Sequence, residues 1–485
     1  MQVLRDRIAS RAFGPGDRMP SIRRFAETMA VSPSTVVEAY DRLVAEGVLR
    51  ARRGAGFYVT GTKLPPLKVA EMGPPRPRSI DPFWVSRQSL DASPEALKPG
   101  CGWLPEDWMP HEALRRGLRS LSKADNAVLT NYGGTRGSMS LRRYLQRQFA
   151  QEDLPIDPDQ IMLTGSTSQA MDLICRLFLR PGDTVLVDDP GYFNYHALFR
   201  AHQVRVVGIP YMADGPDLEA FEAALATETP RFYVTISALH NPTGATISPQ
   251  KAHRLLFLAA ARDLTIVEDD TFADLEPEPS PRLAVLDGLH HVLRIGGFSK
   301  TLSASVRCGY IAGRADWIEG LVDLQVATCF GGASPVATEL LAGVLAGGGY
   351  RKHLTDIHQR LAAARKRVAD KLAPLGIVPW VAPRGGFYLW CRFPEGVDTG
   401  DIAQRCIGDN IILAPGNVFS PSQSARAFMR FNVAQMSDPK VYAALKRALN
   451  QTKRPSDAAQ AVSCSQSRKV ATGRVSVRAG ERTNQ

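Results

Sequence analysis

The 485-residue sequence has no run of 18 or more consecutive apolar residues, which excludes a membrane-spanning helix of ordinary length. Met1 is followed almost at once by Arg5, Asp6 and Arg7, a pattern that argues against a secretory signal. Cysteine is sparse. The seven residues (Cys101, Cys175, Cys308, Cys329, Cys391, Cys406 and Cys464) form no C-x-x-C pair, so neither a disulfide framework nor a metal site is expected. Internal repeats are lacking too. What remains is globular in kind: 44% hydrophobic and 22% charged residues, enough to bury a substantial core. The length calls for two or more domains. The net charge of +11 favours polyanionic partners, although part of the excess lies in a Ser/Ala/Gln/Arg-rich tail after Lys453.

Composition divides the chain into four expected segments: a small helical module over 1–61, a proline-rich linker over 62–94, an α/β domain over 95–452 and a disordered basic tail over 453–485. The linker contains Pro-Pro, Gly-Pro-Pro-Arg-Pro and Ser-Ile-Asp-Pro-Phe, which cannot continue as helix or central strand. If flexible, it reaches roughly 30 Å.

In the first segment, Ile22, Phe25, Ala26 and Met29 recur at helical spacing. Ser32-Pro33 then stops that helix and starts another, with Ser32 as N-cap and Pro33 at the first helical position. Val36, Tyr40, Leu43 and Val44 line its buried face, and Ser34 and Thr35 sit at its N-terminal outer face. Two helices joined this tightly form a helix-turn-helix, whose second helix offers its N-terminal residues to the major groove. After Gly47 an alternating run turns around Arg52-Arg53-Gly54-Ala55-Gly56, a hairpin with a basic tip suited to phosphate contact.

In the large segment, apolar runs 161–164, 184–188, 232–236, 264–268 and 292–295 alternate with helical periodicity, as in a largely parallel sheet. Polar motifs follow each run, where open α/β sheets bind ligands. Thr164-Gly165-Ser166-Thr167 opens a helix, a phosphate-binding arrangement. Tyr192 offers a stacking ring, Asn241 an amide on a rigid turn, Asp269 a strand-end carboxylate and Lys300 an amine, with Arg307 seven residues on. Pyridoxal phosphate (PLP) needs these groups together: an amine for the Schiff base, an anion at the pyridine nitrogen, a donor to the ring hydroxyl, a stacking ring and a phosphate cradle.

Two resemblances follow. Residues 8–60, through Pro-Gly-Asp-Arg-Met-Pro-Ser-Ile-Arg, Val-Ser-Pro-Ser-Thr-Val and the Arg-Arg-Gly-Ala-Gly-Phe wing, resemble GntR winged-helix regulators. The resemblance implies DNA contacts from Arg23, Ser34, Thr35, Arg53 and Gly54. Pro33 stands where family members often carry arginine, and the first helix begins almost at Met1, leaving room for a start upstream. Residues 97–450 resemble fold-type I aminotransferases, which implies PLP held by Tyr132, Gly165, Ser166, Thr167, Tyr192, Asn241, Asp269, Lys300 and Arg307. In that family the tyrosine at Tyr132 reaches the neighbouring subunit's cofactor, implying a homodimer, and the arginine at Arg430 clamps a substrate carboxylate. Two departures stand out. No tyrosine closely follows Asp269, where Thr271 offers only a short hydroxyl, and Gly297 replaces the serine three residues before the lysine. The Gly385-Gly-Phe-Tyr-Leu-Trp run is expected at the small-domain side of the pocket.

The fusion resembles the MocR subfamily of GntR regulators. The expected fold is multi-domain α/β: a winged helix-turn-helix, then a PLP-dependent transferase fold of type I with a mainly parallel sheet and a small C-terminal α+β subdomain. The implied function is transcriptional regulation in the bacterial cytoplasm, at the nucleoid when bound to operator half-sites. An amine or amino acid effector is sensed by replacing the internal aldimine of Lys300 with an external one. The competing reading is an active aminotransferase with an appended winged helix, and the departures at Thr271 and Gly297 weigh toward the sensor.

Overall fold

The structure, a computed structural model, describes Phe13 and residues 16–60 and 82–452. The chain divides into two compact units, Met1–Arg78 and Ser79–Gln485. The expected first helix near Met1, most of the expected linker and the expected basic tail lie outside the described residues.

In the first unit, Ser21 caps helix α1 (Ile22–Met29) by accepting from the Arg24 amide. Ala30, in the left-handed conformation, ends it. Helix α2 (Pro33–Ala45) starts as the sequence indicates, with Ser32 accepting from the Thr35 amide and Pro33 in the first turn. Tyr40 and Leu43 of α2 are fully buried. The Tyr40 ring packs 6.0 Å from Phe25 of α1 and 5.0 Å from Phe57. Strands β1 (Leu49–Arg52) and β2 (Gly56–Val59) pair antiparallel with Arg52 opposite Gly56. The turn between them needs positive φ at Gly54 (72°) and Gly56 (99°), which glycine meets without steric cost. A bridge from Arg18 to Tyr58 adds a third short edge. This is a winged helix-turn-helix.

The second unit opens on a helix where linker was expected. Pro82–Asp91 (α3) is helical, and Trp84 and Val85 bury against Phe193, Trp390, Val418 and Phe419. The linker expectation therefore fails beyond residue 81. A proline at the first helical position loses only an N–H that has no intrahelical partner there, so it can begin a helix instead of forbidding one.

The core is an eight-stranded sheet of β3 (Ile161–Thr164), β4 (Thr184–Asp189), β5 (Arg205–Met212), β6 (Gly215–Pro216), β7 (Pro230–Thr235), β8 (Thr265–Asp269), β9 (Val292–Gly297) and β10 (Gly309–Ala312), in the order β3-β10-β9-β8-β7-β4-β5-β6. Strands β4, β5, β7, β8 and β9 run parallel, β10 is antiparallel to both neighbours, and β6 is antiparallel to β5. The parallel strands β4 and β8 are buried along their whole length, which is why they read as apolar runs. Separate apolar clusters on the two faces, one around Leu141, Phe221 and Leu255 and the other around Ile174, Phe199 and Ile318, cover the sheet. A 24-residue helix, Gly349–Leu372, leads to a smaller four-stranded sheet of β11 (Val378–Pro379), β12 (Tyr388–Arg392), β13 (Ala414–Pro415) and β14 (Phe428–Asn432), in the order β11-β12-β14-β13. The small subdomain thus combines sheet and helix over its own core, which includes Phe387, Leu389 and Phe431. No helix among the described residues is long and apolar enough to cross a membrane.

Candidate functional site

Successive strands of the large sheet end at one cavity of about 170 Å³. Tyr192 follows β4, Asn241 follows β7, Asp269 ends β8 and Lys300 follows β9, and all four line this cavity with Thr167 and Arg430. Parallel strands place their carboxyl ends on one edge, so residues far apart in sequence meet there.

Lys300 donates from Nζ to the Gly102 carbonyl at 2.6 Å. Burial lowers its ammonium pKa from 10.5 to about 8, and the positive charge of Arg430 adds to the effect. The amine is therefore neutral far more often than an exposed lysine, as nucleophilic attack on a carbonyl requires. Asp269 accepts from the Tyr195 hydroxyl at 2.6 Å and from the Thr271 amide at 3.0 Å. Burial raises the Asp269 carboxyl above its ordinary value, opposed by the hydrogen bonds from Thr271 and Tyr195.

Arg430, on β14, is 2% exposed. Its Nη1 donates to Asn241 Oδ1 at 2.8 Å and its Nη2 to the Gly100 carbonyl at 2.7 Å. Its guanidinium lies 4.2 Å from the Tyr388 ring centroid and 4.8 Å from that of Phe419, and buried Nε has no hydrogen-bond partner. Each of these contacts is with a neutral group. Asp269 likewise forms no ion pair among the described residues, although Lys300 lies near enough to feel its charge, so the cavity holds a buried carboxylate and a buried guanidinium that are not paired with each other. A charge buried in this way is costly until a ligand supplies its counterpart. A ligand adduct with a protonated ring nitrogen and a carboxylate would complement both.

That is the charge pattern of PLP carrying an amino acid, and the donor set fits the group. Asp269 would hold the protonated pyridine nitrogen, Asn241 the ring hydroxyl, Tyr192 the ring face and Lys300 the carbonyl carbon. The phosphate would meet the first turn of Thr167–Phe178, whose early N–H groups have no intrahelical acceptors. Within that turn, Ser166 Oγ accepts from the Gln169 amide, and the Gly165 N–H donates to Gln169 Oε1. Only Thr167 of the three lines the cavity itself.

Arg307 and Tyr132 are exposed and are not part of the cavity wall. Arg307 is near enough for its charge to contribute to lowering the Lys300 pKa. Tyr132 is 79% exposed and packs edge-on against Phe330, which is 69% exposed. The Thr271 hydroxyl donates to Asp269, and Phe272, the next residue, supplies an aromatic wall 6.0 Å from Lys300 Nζ without a phenol. At Gly297 a Cβ would stand 3.1 Å from the Cys308 carbonyl and 3.4 Å from Thr167 Cγ2, so close packing of β9, β10 and the helix start favours glycine.

Several residues of the site carried no distinct sequence signal. Cys101, Trp103 and Tyr195 belong to no recognisable motif, and Val85, Ser86, Ser89 and Leu90 of α3 were read as linker. Tyr388 came closest, through the Gly385-Gly-Phe-Tyr run. In the winged helix, Arg23, Ser34, Thr35, Arg53 and Gly54 are all exposed. Ser32 Oγ lies 2.8 Å from both the Ser34 and the Thr35 hydroxyls at the start of α2.

Fold and cavity together define a PLP-dependent protein of fold type I joined to a winged helix. Residues 104–447 match the model of the aminotransferase class I and II family, and the chain belongs to that family. Residues 1–59 match the gntR family of bacterial regulatory proteins, which completes the MocR architecture. The HTH-type transcriptional regulator YdcR of Escherichia coli is 29% identical, covering 89% of this chain and 94% of its own length. Aromatic-amino-acid aminotransferase 1 of Thermococcus litoralis is 29% identical over 71% of this chain and 85% of its own. The crystal structure of the alpha-aminoadipate aminotransferase LysN from Thermus thermophilus, complexed with N-(5'-phosphopyridoxyl)-L-leucine, superposes with a TM-score of 0.69 at 25% identity, covering 76% of this chain and 95% of its own. The cofactor is pyridoxal phosphate.

Proposed function

We propose that this protein is a transcriptional regulator that binds PLP on Lys300 and senses an amino acid or related amine. With PLP bound, Lys300 would hold the cofactor covalently and would take up the proton that an incoming effector amine sheds as it displaces the lysine. PLP supplies the electrophilic carbonyl and a covalent handle. Asp269 holds the ring nitrogen protonated, Tyr192 and Asn241 fix the ring, and Gly165–Thr167 with Arg307 hold the phosphate. Arg430 binds the effector's carboxylate. Tyr132, exposed beside Phe330, contributes to the cofactor site of a second copy, so the working unit is a homodimer with two winged helices. Arg23, Ser34 and Thr35 read operator half-sites in the major groove, and Arg53 and Gly54 contact phosphates.

The observation that carries the sensing role is the wall formed by α3. The helix that lines the cavity beside Lys300 and Arg430 is the one into which residues 61–81 lead from the winged helix. An effector that favours one placement of α3 thereby acts on the segment that tethers the DNA-binding unit. It can do so only through unequal affinity for the two arrangements. The HTH-type transcriptional regulator YdcR, matched over 94% of its length, supports this role.

A working aminotransferase is the second reading, favoured by the presence of Lys300, Asp269, Asn241, Tyr192 and Arg430 in one cavity. Titration of the PLP-loaded protein with amino acids, read by cofactor absorbance and by operator affinity, separates the two. Sensing requires an absorbance change with an accompanying change in DNA affinity and no keto-acid-dependent turnover. Rapid multiple turnover with no specific DNA affinity would overturn it.

A further inference from the structure

Two buried ionisable side chains outside the cavity wall have no role so far in holding cofactor or effector. Asp188, near the end of β4, and His240, in the turn after β7, are 3% and 0% exposed. His240 Nε2 lies 3.1 Å from Asp188 Oδ2, and its Nδ1 lies 2.8 Å from the Thr243 hydroxyl. The Tyr211 ring, on β5, stacks on the imidazole with centroids 3.8 Å apart and an interplanar angle of 11°. Asp188 also accepts from the Tyr233 hydroxyl and, at 3.3 Å, from the Ile236 amide. Strands and turns of the same chain enclose both groups, so neither is open to a second copy.

Packing alone does not call for this pair. Enclosing a carboxylate and an imidazole costs solvation that an apolar pair of similar volume does not, and what the polar pair adds is a fixed geometry. Here the geometry is that of two ligand-bearing turns. Asp188 lies four residues before Tyr192, and His240 immediately precedes Asn241. The His240 amide donates to the Ala245 carbonyl at 2.8 Å and the Gly244 amide to the His240 carbonyl at 2.6 Å, so the turn closes on His240. Its ring is held by Asp188, Thr243 and Tyr211, which leaves the next Cα, about 3.8 Å on, little freedom. Asn241 Oδ1 in turn accepts from Arg430 Nη1 at 2.8 Å, so whatever places this amide also places the guanidinium.

Resting on the role proposed above for Asn241, we propose that His240 is a positioning residue for the cofactor and effector sites. Paired with Asp188 and stacked against Tyr211, it fixes the Asn241 amide between the ring hydroxyl of the cofactor and Arg430. With Oδ1 on the guanidinium, the N–H groups of that amide are left for the ring oxygen. Loss of the pair frees the amide, which weakens the hold on the ring and leaves the ring oxygen more basic.

The test measures equilibrium PLP binding and the pH midpoint of the bound cofactor's absorbance in the full-length protein. His240→Leu is compared with His240→Gln, whose amide N–H still donates to Asp188, and with Asn241→Ala. His240→Leu is expected to lower PLP affinity about tenfold and to move the midpoint upward, while His240→Gln loses less than about threefold. On the Asn241→Ala background His240→Leu should change neither quantity further, because His240 acts through that amide. Losses of equal size on both backgrounds, or none on either, would overturn the inference and leave PLP on Lys300 untouched. A His240→Gln protein as weak as His240→Leu would overturn it too, by removing the pairing with Asp188. Asn241→Ala without effect on either quantity would instead remove the role of Asn241, and this inference with it. Should His240→Leu fail to fold, Thr243→Val removes the partner of Nδ1 with little change of shape and carries the same comparison between backgrounds.

Discussion

The hydroxyl of Tyr195 stands 2.6 Å from Asp269 Oδ2 and donates to it from the buried first turns of the helix after β4. A carboxylate in this setting depends on its donors. Burial already pushes Asp269 toward its neutral form, and the Thr271 and Tyr195 hydrogen bonds oppose that push. Tyr195→Phe removes one of them, so Asp269 is protonated more readily and the ring nitrogen of PLP loses an anionic partner. A hydrogen bond to a charged group is worth ~1.5–3 kcal/mol, or roughly a ten- to hundredfold loss in PLP affinity. Equilibrium binding followed by cofactor absorbance measures it. Unchanged affinity would show that Asp269 needs no help from Tyr195.

Lys300 gives a pH dependence whose sign is fixed by its depressed pKa. In the cofactor-free protein the folded state releases this proton at about 8, whereas the unfolded chain holds it to 10.5. Between these values the unfolded state binds more protons, so this residue makes stability rise with pH through that window, and its burden is full below it. The rate of PLP attachment should also climb with pH around a midpoint of about 8 as the neutral amine appears. Arg430→Gln removes the second-ranked cause of the depression, and the midpoint should move upward. A midpoint that stays in place would mean that Arg430 does not contribute to it. Lys300→Ala should abolish the absorbance of the lysine-bound cofactor, and retention of that band would refute the assignment of the lysine.

Much of this site was legible because parallel strands leave a strong trace. The runs ending at Thr164, Asp188, Ile236, Glu268 and Ile295 are buried on both faces, so they read as unbroken apolar segments, and the polar residues after them fall at one edge of the sheet. Antiparallel β10 sits between β3 and β9, yet its four residues, Gly309–Ala312, are too short to stand out from a loop. Thr271 looked like a mere shortfall. Its amide and hydroxyl nevertheless both reach Asp269, a local turn that residue identity alone does not reveal. Helix α3 escapes the sequence reading because the prolines of residues 62–94 read as breakers, whereas Pro82 opens the helix. The burial of Trp84 and Val85 depends on Trp390 and Phe419, some three hundred residues onward, and no local pattern reports such a contact.

Helix α3 owes its place to Trp84, 8% exposed within the cluster of Phe193, Trp390 and Phe419. Trp84→Ala leaves a cavity there and should cost ~3–5 kcal/mol if the helix folds as part of the unit. Chemical denaturation of the full chain measures the loss. The same substitution should weaken the absorbance response to amino acids, since Val85 and Ser89 on the same helix face the ligand cavity. A loss below about 1 kcal/mol would instead mean that α3 detaches readily and that its contacts contribute little.

The two surfaces of the winged helix should respond differently to substitution. Arg53 is exposed in the tight turn of the wing, where Gly54 takes φ 72°. A phosphate contact from it carries no sequence information. Arg53→Ala should weaken binding alike on all DNA sequences and reduce the slope of log affinity against log salt by about 0.9. Ser34 and Thr35 lie at the start of α2, with their hydroxyls held 2.8 Å from Ser32 Oγ. Replacing either with alanine should change the preference between operator and random DNA while leaving the salt slope in place. Ser32→Ala combines two effects. It removes the N-cap, at a cost of ~0.5–2 kcal/mol to the module, and releases both hydroxyls from their common partner. Affinity measured across a salt series on operator and random duplexes separates these outcomes. A salt slope unmoved by Arg53→Ala would remove the wing from the phosphate backbone.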